Sequence, residues 1–200
     1  MSEESEIIEW GWAGSALELE SGDRHVVVTF PGGALITLLD GLGHGPEAAA
    51  AAAAAVPILE SYASDPPLAI LQRCHEGLRN TRGVAMSLAS FDSRISSMTW
   101  TGVGNVEGML FRVNGRPGYP SDAIALRGGV VGYRLPPLHA NTIQVSSGDT
   151  LIMATDGIKS GFTTGISIEH DPQEVAESIL ARFAKGTDDA HVVVVRYLGG

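Results

Sequence analysis

The chain has little cysteine, few basic residues and no long apolar run, and each shortage excludes something. Cys74 is the single cysteine among 200 residues, so no intrachain disulfide can form and a reducing compartment is expected. Lys and Arg total 13 against 23 Asp and Glu, a net charge of −10. That balance argues against nucleic acid and against anionic membrane surfaces, both of which call for clustered positive charge. The longest apolar run, Ala48–Leu59, has 12 residues, whereas a membrane span needs about 20. The first residues lack the basic and apolar pattern of a signal sequence, so a cytoplasmic location is expected.

The acid is unevenly spread. Residues 1–23 hold Glu3, Glu4, Glu6, Glu9, Glu18, Glu20 and Asp23 with no Lys or Arg, so this segment carries −7 and the rest of the chain −3. Hydrophobic residues make up 44% and charged residues 18%, the composition of a folded chain rather than a disordered one. A single domain over residues 1–200 is expected, with about 1–14 as an edge strand or tail.

Strands dominate the pattern. His25–Phe30 is rich in β-branched residues, and Ala34–Leu39 is a continuous apolar run of the kind a strand buried on both faces requires. Pro31-Gly32-Gly33 between them predicts a hairpin. Further strands are expected at Val84–Phe91, Ser97–Gly102, Gly108–Val113, Thr142–Val145, Thr150–Ala154 and His191–Tyr197. Three helices complete the set. The first runs from Pro46 to Ser61 through eight consecutive alanines, with a kink expected at Pro57. The second runs from Pro66 to about Asn80 with Asp65 as its cap. The third has Asp171 as cap and Glu174 in the capping-box position, and stops at Gly186. Trp10 and Trp12 are expected in the core, with an edge strand or a partner contact as the alternative, and Cys74 as a half-buried packing residue. Strands and helices do not alternate regularly, so the fold class is α+β rather than a doubly wound sheet.

Four aspartates stand at strand ends. Asp23 precedes one strand, Asp40 and Asp156 each end one and are followed by glycine, and Asp188-Asp189 open the last. One Asp-Gly is commonly only a turn. Several hard carboxylate oxygens converging on one cleft suit Mg²⁺ or Mn²⁺.

The segments LLDGLGHG (38–45), GVGN (102–105), GDTLIMATDGI (148–158) and TDDAHVVVV (187–195), with Ser21-Gly22-Asp23 before them, resemble the ordered motifs of the metal-dependent (type 2C, PPM) protein phosphatases. The likeness spans about residues 15–198. It is nearest to the SpoIIE-like bacterial branch and its RsbX-type stress-response phosphatases. It implies a four-layer α-β-β-α sandwich and two Mn²⁺ or Mg²⁺ ions at one end. In that frame Asp40 bridges both ions, the Gly41 carbonyl and Asp156 and Asp188 are ligands, and Asp23 is a ligand or bonds to one. Asp189 ranks lower. Asp40 and Asp156 then act through a water that the ions activate for attack on phosphoserine or phosphothreonine. The implied substrate is a phosphorylated regulatory protein of STAS type.

Some positions depart from the family pattern. No Arg lies in residues 1–23, and Arg24 is the nearest residue to contact a phosphate. His191 stands where Ser or Thr is usual. No extra acidic ligand is evident, so two ions are expected. His44 in the Gly-rich loop is a general-acid candidate. Two rival readings stay open on the residues alone: a non-catalytic phosphatase-like binding module, and a metal hydrolase of small phosphoesters.

Overall fold

Apolar residues recur on both faces of the central strands, and the chain folds so that both faces are covered. The computed structural model describes residues 6–199 apart from Pro117. In chain order its elements are β1 (Ile8–Ser15), β2 (Asp23–Phe30), β3 (Gly33–Gly41), α1 (Pro46–Ser61), α2 (Pro67–Gly77), β4 (Val84–Asp92), β5 (Ser97–Val103), β6 (Glu107–Phe111), β7 (Asp122–Ala123), β8 (Asn141–Gln144), β9 (Thr150–Ala154), α3 (Pro172–Phe183) and β10 (Ala190–Tyr197).

The strands make two antiparallel sheets, ordered β1-β10-β9-β6-β7 and β2-β3-β4-β5-β8. Alternation along β3 sends Ala34, Ile36 and Leu38 into the layer between the sheets and Leu35 and Leu39 toward α1 and α2. Along β10, Val193, Val195 and Tyr197 enter the same central layer, and Val192 and Val194 pack against α3. Three apolar layers result, and the α-β-β-α sandwich expected from the motifs is the observed fold.

The alanine run sets how closely α1 approaches its sheet. Ala48, Ala51, Ala52 and Ala55 are buried, and a side chain at Gly41 would place its Cβ 2.3 Å from the Ala48 carbonyl oxygen. Small residues on both partners thus let the helix start rest against the end of β3. The helix continues through Pro57.

Several local expectations are corrected. Asp65 does not cap α2: Pro66 holds that position with no side-chain hydrogen bond, and Asp65 instead pairs with Arg73 at 3.2 Å. That helix ends at Gly77 rather than near Asn80. Asp171 does cap α3, accepting from the Gln173 N–H at 2.8 Å, but Glu174 stands 3.7 Å from His170. Trp10 and Trp12 are 42% and 43% exposed, because β1 is an edge strand and these side chains sit at the open margin between the sheets. Cys74 is fully buried, in the apolar layer under α1 and α2.

Candidate active site

The strand register assembles the site. Asp23 and Asp40 are cross-strand partners at one end of the β2–β3 hairpin, facing the gap between the sheets. Asp156 follows β9 and Asp188 precedes β10, and these strands are neighbours in the other sheet. The two sheets therefore bring acidic ends together at one end of the sandwich. Asp40, Asp156 and Asp188 line a cavity of about 330 Å³ with Leu42, His44 and Asn105. Asp23 lies in an adjoining cavity of about 530 Å³ with Ser21, Arg24, His25 and His191. A larger cavity, about 720 Å³, opens around Arg112, Arg116 and Arg196 at the opposite ends of β9 and β10. Arg112 is paired there with Asp149 and Arg196 with Glu9.

The glycines after Asp40 and Asp156 serve close approach rather than an unusual backbone angle, since neither takes a positive φ. A Cβ on Gly157 would stand 1.9 Å from the Asp189 carbonyl oxygen. The segment carrying Asp156 is thus pressed against the segment carrying Asp188.

Each acidic side chain has its own support. The Asn105 amide donates to Asp156 Oδ2 at 2.7 Å and favours the charged form of Asp40. Thr155, buried at 2% exposure, donates to Asp23 Oδ2 at 2.6 Å and accepts from the His191 N–H at 2.9 Å. Thr155 was not singled out from the sequence, although it sits inside the ATDG motif. Asn105 closes the GVGN segment. Its pairing with Asp156 joins residues that only the fold brings together.

The two adjacent aspartates divide. Asp189, at 4% exposure, spends both oxygens on backbone N–H groups, those of Leu17 and Gly22, each at 2.7 Å. Asp188 turns to the cleft, with one oxygen accepting from the Asp189 N–H.

Burial pushes the Asp23 carboxyl up to about 8, against the Thr155 hydrogen bond and with Asp40, Asp189 and Asp156 adding repulsion. Burial, then Asp156 and Asp188, push Asp40 up to about 7. Two carboxylates this costly to ionise call for positive charge beside them. The donors are oxygens of Asp and backbone, which suits a hard divalent cation. Among the described residues no three His, Cys, Asp or Glu side chains already close into a cage.

Arg24 points to the α1 face of β2, opposite Asp23, and is exposed. His44 is exposed at the cleft and its Nδ1 stands 2.6 Å from Glu18 Oε1. Gly41 donates its N–H to the Gly22 carbonyl at 3.0 Å. His191 is buried, with Nε2 2.8 Å from His25 Nδ1 and its ring stacked on Trp12 at 5.1 Å. Burial, then His25 and Arg24, lower its pKa to about 3, so it is neutral. The ammonium of Lys185 donates to the Asp156 carbonyl.

A two-sheet sandwich with an acidic, oxygen-lined cleft at one end defines a PP2C-type phosphatase domain. The chain belongs to the SpoIIE (Stage II sporulation protein E) family, whose model matches residues 31–198. It is similar to the phosphoserine phosphatase RsbX of Bacillus subtilis (strain 168), 28% identical over 160 residues, covering 78% of this chain and 76% of that protein. A crystal structure of RsbX in complex with magnesium matches with a TM-score of 0.84 at 23% identity, over 98% of each chain. The PP2C phosphatase domain of SpoIIE from Bacillus subtilis matches with a TM-score of 0.81 at 22% identity, over 96% of this chain and 64% of that one. Among the described residues no helix is long and apolar enough to cross a membrane.

Proposed function

We propose that this single domain is a cytoplasmic protein serine/threonine phosphatase that uses two divalent cations, Mn²⁺ or Mg²⁺. Its substrate would be a phosphorylated regulatory protein of STAS type in partner-switching signalling. The observation that carries this reading is the convergence of Asp40, Asp156 and Asp188 on one cleft, with the buried Asp23 behind Asp40. Asp40, Asp156 and Asp188, with the Gly41 carbonyl, would hold the ions, and Asp23 would hold one ion or brace its neighbour. When bound, such ions neutralise phosphoryl oxygens and make an aligned water acidic enough to attack phosphorus.

The chain's own residues do the rest. Asn105 fixes the rotamer of Asp156, and Thr155 fixes that of Asp23. His44, at the cleft mouth and oriented by Glu18, donates a proton to the departing seryl oxygen. Arg24 is the residue nearest to the place of the family's phosphate-contacting Arg, which residues 1–23 lack. Its place on the α1 face means it would have to reach around the β2 edge.

The test is hydrolysis of p-nitrophenyl phosphate and a phosphoserine peptide with Mn²⁺. We expect activity that a chelator abolishes and that Asp40→Asn removes. Chelator-insensitive turnover, or full activity in Asp40→Asn, would overturn the proposal.

A further inference from the structure

We propose that the β1–β2 loop, residues 16–22, docks the protein substrate by taking a basic, apolar segment that flanks its phosphoserine. This rests on the phosphatase reading and adds the partner chemistry that the cleft accepts. The loop is tied at both ends to one carboxylate: Asp189 accepts from the Leu17 N–H and from the Gly22 N–H, each at 2.7 Å. A third tie holds its middle, where Glu18 meets His44 at 2.6 Å.

A connection so held has no need to show apolar surface. Leu19 is nonetheless fully exposed at 103%, Leu17 is 44% exposed, and Leu42 on the cleft-lining turn is 50% exposed. One exposed leucine would be ordinary, but three on the loop and the adjoining turn make an apolar surface for a partner to cover.

Charge narrows the partner. Glu18 and Glu20 of the loop and Glu47 at the start of α1 are exposed on the same rim. Two arginines share this rim, Arg24 lining one cavity with Glu20 and Arg82 paired with Glu47, and the three glutamates outnumber them. A segment carrying Lys or Arg together with one apolar side chain complements this rim, and an acidic segment is repelled by it. The position suits a reading of the residues beside the phosphate. Glu20 and Ser21 line the cavity that holds Asp23, and Glu18 meets His44, which lines the next with Asp40 and Leu42, so the loop borders both.

The experiment uses two synthetic phosphoserine peptides, one flanked by Arg and Leu, the other by Glu and Ser. With Mn²⁺, the protein should turn over the Arg/Leu peptide with kcat/KM higher by about tenfold, about 1.4 kcal/mol, mostly through KM. The L19S/E20K variant should level the two peptides while its rate on p-nitrophenyl phosphate stays within about twofold of the parent. Equal turnover of both peptides by the parent, or an undiminished preference in the variant, overturns the proposal. A second arm separates this failure from failure of the phosphatase reading. Fluorescence anisotropy of both peptides on the Asp40→Asn protein needs no turnover. A preference of about tenfold there, weakened by salt, supports docking even without hydrolysis, and equal binding overturns it.

Discussion

Stripping the cations and raising the pH should destabilise this protein in a defined direction. Asp40 and Asp23 titrate near 7 and 8 in the fold and near 3.8 in a model carboxylate. Between those values the folded chain holds protons that the unfolded chain has released. The penalty therefore accumulates as the pH rises from the ordinary carboxylate range and is complete above about 8. Each group withdraws about 1.4 kcal/mol per pH unit across its window, so moving from pH 5 to 8.5 removes several kcal/mol in all. For a chain of this size that is roughly 20 °C in Tm. The assay is thermal unfolding in a chelator across that range, repeated with excess Mg²⁺, which should flatten the slope. Asp40→Asn removes one buried charge and its repulsion of Asp23. It should raise the metal-free Tm at pH 8.5 by about 10 °C and erase most of the response to Mg²⁺. A metal-free Tm that is level or rising from pH 5 to 8.5 would refute the reasoning, as would an Asp40→Asn protein less stable than its parent there.

Further expectations concern the supports of the cleft. Thr155→Val keeps the shape but removes the donor to Asp23, and should weaken Mn²⁺ binding by about 10–100-fold in calorimetry, with Thr155→Ser close to the parent. Gly157→Ala forces a Cβ to within 1.9 Å of the Asp189 carbonyl, and should cost several kcal/mol in urea unfolding, far more than an ordinary glycine replacement. His44→Gln should slow phosphoserine hydrolysis by about 10²-fold and leave p-nitrophenyl phosphate nearly untouched, because a good leaving group needs no proton. Equal losses on both substrates would remove His44 from the acid role.

How much of this was legible depended on whether the signal was local. The strand ends carrying Asp40 and Asp156 could be seen because an apolar run stops at a carboxylate. The sandwich followed from the order of the motifs. Less visible was what adjacent or distant residues do once paired. Asp188 and Asp189 are neighbours in sequence, yet one faces the cleft and the other binds the backbone near residue 20. Thr155 and Asn105 matter through partners far along the chain, Asp23 and Asp156, 132 and 51 residues away. Asp-Gly was read as a sharp turn, whereas close packing of α1 and of the Asp189 segment explains the glycines. Trp10 and Trp12 are expected in the core, but their place on an edge strand leaves both exposed.

The position of β10 has a consequence for how the chain is made. β10 pairs with both β1 and β9, so β1 has no sheet to join until β10 emerges, some 175 residues after it. During synthesis the β2-β3-β4-β5 unit can form from consecutive segments, each pairing with the one before it. The loop at residues 16–22 must wait for Asp189. The acidic cleft is therefore complete only once β10 is in place, and a chain without it can hold a half-built fold with no working cleft.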